Sequence, residues 1–140
     1  MILTDINVLV YAHRPESPYH DRALKTVESM ANSLSPFALC SFVCSGFLRI
    51  VTHHRIFFDP TPLNEAMTFL DDLLSLDQCR IVEPQNRHWG IFSMLLKIAP
   101  VTANLISDAY LASIAIENGC TLLTKDSDFK RFPELVLKML

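Results

Sequence analysis

Asp5 interrupts an apolar opening, MILTDINVLV. Asp108 stands in SDAYLASIAIENG, and Asp126 and Asp128 stand in CTLLTKDSDF. A carboxylate set beside buried apolar chain is costly unless it reaches water, finds a partner or binds a cation. Carboxylates gathered at one place repel one another until a cation neutralises them. Hard oxygen donors in that number suit Mg²⁺ or Mn²⁺, whereas softer metals prefer Cys and His. Such a cluster holds one or two divalent ions, orients a water and stabilises charge growing on a phosphoryl oxygen during in-line displacement. No two histidines have zinc-protease spacing, His53 and His54 being adjacent. His13 and His20 read as surface residues, and no histidine has a nucleophile partner for a Ser–His–Asp arrangement.

The elements that would position these acids follow from local pattern. MILT reads as a short buried strand that stops at Asp5 or runs on toward Val8. SPYHDRALKTVESMAN reads as a helix with Ser17 as cap and Pro18 at its first position. PFALC is a second strand, SFVCSGFLRIVTHH a helix with basic residues at its end, and TPLNEAMTFLDDLLSL an amphipathic helix capped by Thr61. CRIVE is a third strand. NRHWGIFSMLLKI is helical, with Trp89 in the core. SDAYLASIAIENG predicts a helix with Ser107 as N-cap, Asp108 in its first turn and Gly119 just past its end. CTLLT is a strand leading into a polar loop, and LVLKM a last short strand.

Strands alternating with helices argue for an α/β fold with a mostly parallel central sheet, in a single domain over residues 1–140. In such a sheet, ligand sites form outside the carboxyl ends of the strands. Asp5, Asp126 and Asp128 each follow a strand. The helix preceding CTLLT runs antiparallel to it and brings Asp108 to the same edge. Singly, each acid has an ordinary role: Asp5 a turn or cap, Asp108 a first-turn helix acid, KDSD a turn. Only their convergence points to a metal, so the residues alone leave both readings open.

Composition narrows the class. The chain has 140 residues, 50% hydrophobic and 19% charged, enough for one sizeable core and unlike a disordered chain. A mean hydropathy of +0.26 suggests apolar surface covered by another subunit or partner. There is no membrane-length apolar run and no signal-like amino terminus. The four cysteines, without CxxC or zinc spacing, read as reduced thiols of a cytoplasmic protein. Three glycines exclude a Gly-rich phosphate loop. A net charge of −3 requires any nucleic-acid contact to be local or metal-mediated.

MILTDINVLVYAH, FLRIVTHHRIF and SDAYLASIAIENGCTLLTKDSDFKRFPEL, in this order and spacing, resemble the PIN-domain ribonucleases of the VapC toxin type over essentially the whole chain. The resemblance implies a three-layer α/β/α fold and Mg²⁺- or Mn²⁺-dependent cleavage of RNA, with tRNA or rRNA as the usual target. It also implies a homodimer and a neutralising VapB-type antitoxin. Carried over residue by residue, Asp5, Asp108 and Asp126 match the family's catalytic, metal-holding acids. Asp128 matches a further acid of the last motif, and Asn7 and Thr124 match small polar residues lining the site.

Gly46 departs from the pattern, standing where the family usually has a glutamate, the second acid of the site. Three consequences are open: one metal on Asp5, Asp108 and Asp126; another acid reaching in, with Asp59 nearest in sequence; or weakened catalysis. The first is preferred because the other acids are intact. Cations for an RNA backbone are Arg14, Arg49, His53, His54, Arg55 and Lys125, with Lys130 and Arg131 beside the last motif. Each also reads as a solvated surface charge. Two rival functions remain. One is a PIN-fold RNA- or partner-binding module without catalysis, crippled at Gly46. The other is an aspartyl-phosphate chemistry at Asp5, which wants a second Asp where Asn7 stands.

Overall fold

The computed structural model describes residues 1–98 and 102–140. Strand β1 (Ile2–Thr4) leads through Asp5 into helix α1 (Ile6–His13), then α2 (His20–Ala31), β2 (Phe37–Leu39), α3 (Ser41–Val51), α4 (Leu63–Leu74) and β3 (Cys79–Ile81). Helices α5 (His88–Ile98) and α6 (Ala103–Glu117), β4 (Thr121–Thr124), a 3₁₀ turn (Ser127–Arg131) and β5 (Leu137–Met139) complete the chain. The five strands form one parallel sheet in the order β3-β2-β1-β4-β5. Helices flank it, giving the three-layer α/β/α arrangement expected. Central strands of a covered parallel sheet are apolar throughout. Accordingly Leu3, Ala38, Leu39, Leu122 and Leu123 are all essentially inaccessible.

Strand order reverses at β1. The chain goes from β1 outward to β2 and β3, then returns to lay β4 on the other side. The crevice between the carboxyl ends of β1 and β4 is therefore the topological switch point, where α/β sheets bind ligands. Asp5 follows β1 directly, and Asp126 follows β4 by two residues.

Several local expectations are corrected. The strand stops at Thr4, the shorter of its two expected ends. What the sequence did not predict is the helix after it: Val8 to Val10 lie in α1, which starts from the extended backbone of Asp5. Val8, Leu9, Val10 and Ala12 are buried, and a helix buried on most sides shows no polar face for periodicity to reveal. Helix α2 starts at His20, not after Ser17; the Ser17 hydroxyl instead accepts from the Tyr19 amide at 3.2 Å. Pro62, not Thr61, precedes α4, because the buried Thr61 hydroxyl is engaged by His13 Nε2 at 3.0 Å and by an Arg14 donor at 2.9 Å. Helix α6 begins five residues earlier than expected, at Ala103 with Thr102 before it, and Leu105 extends the buried stripe of Ala109 and Ala112. Ser107 is thus inside the helix.

Trp89 is 72% exposed, contrary to a core position. His88, Phe92 and Leu95 form the inward face of α5, and the residue beside His88 must point outward. His13 and His20 are not free surface residues either. His13 is half-buried against the rings of Phe47 and Phe69, and His20 Nδ1 lies 2.9 Å from the Tyr11 carbonyl oxygen. Gly119 follows α6 with φ +62°, the left-handed turn that stops the helix. No helix among the described residues is long and apolar enough to cross a membrane. All four cysteines are free, and burial pushes the Cys40 and Cys44 thiols up to about 11.

Candidate metal centre

Asp5 is placed by β1 and fixed by β4. Its amide donates to the Leu123 carbonyl at 2.9 Å, continuing the β1–β4 ladder by one residue. Its side chain is only 5% exposed, and the inaccessible Thr124 hydroxyl donates to its Oδ2 at 2.7 Å. The same hydroxyl accepts from the Asp126 amide at 3.0 Å, and Asp126 Oδ1 accepts from the Asp128 amide at 2.8 Å. One buried threonine thereby ties the end of the first strand to the loop after the fourth. Burial raises the Asp5 pKa, with the Asp126 charge adding to it, against the lowering by the Thr124 bond and the amides of Ile6 and Asn7.

Asp108 reaches this edge from the second turn of α6 and is half-buried. Burial, then the charges of Asp126, Asp5 and Asp128, push its pKa up to about 6, with Arg131 opposing. Oxygen atoms of Asp108, Asp126 and Asp128 all lie within 4.8 Å of one another. Of the sequence triad, Asp108 and Asp126 meet in this group and Asp5 does not. Asp128 belongs to the tightest group, while Asp5 stands behind it, coupled through Thr124. This donor set fits a hard divalent cation: acid oxygens converge, the pKa values of Asp5 and Asp108 are raised by burial and by the neighbouring carboxylates, and no nitrogen or sulfur ligand joins the group among the described residues.

The remaining predicted residues fall into three groups. Asn7 is in the first turn of α1, beside Asp5, and its side chain makes no hydrogen bond among the described residues. Lys125 is near the acids, its Nζ 5.0 Å from the centre of the Tyr19 ring. Arg49 lines a cavity with Gly46 and Ser107. Arg14, by contrast, is spent on structure: it bonds Glu16, Thr61 and the Asp59 carbonyl and lies 4.2 Å over Phe57. His53, His54 and Arg55 follow the end of α3, where His53 Nδ1 accepts from the Arg55 amide and stacks on His54. Arg131 is turned to Asp128 at 3.3 Å. Asp59 sits in the exposed 52–62 loop and is not one of the converging acids among the described residues.

Two neighbours of the site escaped the sequence reading. Tyr11 is raised in pKa by burial, then by the charges of Tyr19, Asp5 and Asp126, and its ring lies 5.1 Å from that of Tyr19. It lies one helical turn after Asn7, a relation visible only once α1 is known to be a helix. Ile6 is the other. A Cβ at Gly46 would stand 2.4 Å from Ile6 Cδ1 and 3.0 Å from Cγ1, so Ile6 occupies the space into which a side chain at position 46 would grow.

The family model of the PIN domain matches residues 2–135. This chain is a PIN domain. Its relatives include the ribonuclease VapC43 of Mycobacterium tuberculosis, 38% identical over 96% of this chain and 92% of that protein. Another is the ribonuclease VapC25 of the same organism, 33% identical over 94% and 93%. The chain thus belongs to the VapC family of PIN domains. The fold matches VapBC2 from Rickettsia felis, solved bound to a promoter DNA fragment, with a TM-score of 0.72 over 99% of this chain and 98% of that one at 24% identity. It also matches FitAcB from Neisseria gonorrhoeae, with a TM-score of 0.71 over 98% and 96% at 19% identity.

Proposed function

We propose that this chain is the toxin component of a VapBC-type toxin–antitoxin pair, an endoribonuclease that cleaves tRNA or rRNA with Mg²⁺ or Mn²⁺. The observation that carries the reading is the convergence of Asp108, Asp126 and Asp128, with Asp5 tied to Asp126 through the Thr124 hydroxyl, at the switch point of a PIN sheet. The ribonuclease names of the VapC relatives support it independently. Asp108, Asp126 and Asp5 would hold the cation, with Asp128 beside them. The bound cation would neutralise these acids, polarise a water and stabilise charge on the phosphoryl oxygen.

The chain's own residues do the positioning. Thr124 holds Asp5 in one orientation and fixes the Asp126 backbone. The Asp128 amide fixes the Asp126 carboxylate. The half-burial of Asp108 keeps solvent from screening the charge the site is built to bind. Lys125, on the loop bearing Asp126, can release Tyr19 to meet a flanking phosphate.

The partner in this reading is a VapB-type antitoxin, supported by the VapC names of the relatives and by the VapBC assemblies among the matched folds. A homodimer is the expected resting state, and sedimentation of the antitoxin-free chain at twice its monomer mass would support it. The reading without catalysis draws on Gly46, where Ile6 fills the space of the missing acid. Cleavage of RNA by the purified chain that depends on both a divalent cation and Asp126 separates the two: Asp126→Asn should abolish it, and intact RNA with the unaltered chain favours the binding module.

A further inference from the structure

A cavity of about 180 Å³ opens between the start of α1, α3 and α6, lined by Ile6, Phe42, Ser45, Gly46, Arg49 and Ser107. Ile6 follows Asp5 and Ser107 precedes Asp108, so the cavity adjoins the acids through two of their chain neighbours. Its make-up is that of a small ligand pocket: an apolar wall, two hydroxyls and one cation. Phe42 packs against Tyr110 with ring centres 5.1 Å apart, which fixes its ring. The side chains of Ser45, Ser107 and Arg49 make no hydrogen bond or ion pair among the described residues, and all three are exposed. Gly46 explains the free arginine. Positions 46 and 49 share a helix face, where an acid at 46 would pair with Arg49. Glycine leaves the guanidinium without an acid on this face, while Ile6 occupies the space next to position 46 and forms the apolar wall of the cavity.

Drug-sized pockets span roughly 300–1,000 Å³, so this smaller one suits a single planar group. Free hydroxyls suit the edge of a base, an aromatic wall suits its face, and a free arginine suits the phosphate attached to it. We infer that this cavity receives one unpaired nucleotide of the RNA next to the cleaved bond, its base against Phe42 and Ile6 and its phosphate on Arg49. The inference rests on the ribonuclease reading and adds a subsite to it.

The test uses a 5′-labelled single-stranded RNA of mixed sequence, its binding followed by fluorescence anisotropy with Mg²⁺ on the Asp108→Asn form. Arg49→Gln and the cavity-blocking Ser45→Trp, each added to that form, should weaken binding about ten-fold, the scale of one stacked base. Moving an abasic nucleotide along the RNA should reveal one position whose loss weakens the Asp108→Asn form but costs the Ser45→Trp form nothing more. Ser107→Leu is a second block, and unchanged melting temperatures exclude misfolding. Undiminished affinity in both blocked forms overturns the pocket, whatever Arg49→Gln does, while cleavage by the unaltered chain leaves the ribonuclease reading standing. RNA neither bound by any form nor cleaved by the unaltered chain removes both.

Discussion

Asp108 is the residue in which the cost of the site is most visible. Its pKa is raised from 3.8 to about 6, mainly by burial and then by three neighbouring carboxylates. Between those values the folded chain holds a proton that the unfolded chain has released. Stability of the metal-free protein therefore falls as pH rises through that window. Asp108→Asn removes this penalty, so in EDTA at pH 7 it should melt a few degrees higher than the unaltered chain. Mg²⁺ should raise the melting temperature of the unaltered chain more at pH 7.5 than at pH 5, and that of Asp108→Asn little at either. Calorimetry over this pH range reads both effects. Gly46 yields a second residue-scale expectation. Gly46→Glu drives its Cβ against Ile6, and because the nearest atom is the end of a flexible side chain the cost should be about 1 kcal/mol, the low end for overpacking. Adding Ile6→Ala should recover much of that loss in urea unfolding, and only the double variant should gain an acid at the metal edge.

At the scale of elements, Thr124 joins β1 to the last acidic loop through one hydroxyl. Thr124→Val keeps its shape but leaves the buried Asp5 oxygen and the Asp126 amide without their partner, which should cost about 1–3 kcal/mol. Cleavage should fall further than stability explains, because both acids lose their orientation. The two outlying glycines offer opposite controls. Gly119→Ala forces a left-handed residue and should destabilise by roughly 1 kcal/mol. Gly90→Ala, inside α5 with open space around it, should stabilise by up to about 1 kcal/mol. The acid positions were legible in the sequence because strand–helix alternation and the Asp spacing fix the sheet edge. What was not legible depends on burial rather than pattern. Helix α1 hides because β-branched Val8 and Val10 lie in a helix that is covered on most sides. Trp89 misleads because its size suggests core, while its neighbours His88 and Phe92 own the inward face. The early start of α6 turns on Leu105, a single buried contact that no capping residue announces.

For the whole molecule, the sheet's reversal at β1 lets acids more than 100 residues apart share one crevice, with helices covering the parallel strands. Apolar residues left outside include Phe58, Trp89, Ile81 and Leu63. In the proposed assembly a second copy or an antitoxin would cover them. The converging acids of the metal edge all come from a single chain. The most direct measurement is incubation of the antitoxin-free protein with total tRNA and rRNA in Mg²⁺, Mn²⁺ or EDTA, beside its Asp5→Asn form. Discrete fragments that appear only with a divalent ion, and only with Asp5 intact, are the predicted result. Intact RNA in every lane, or fragments equally abundant in EDTA or from Asp5→Asn, would contradict the account.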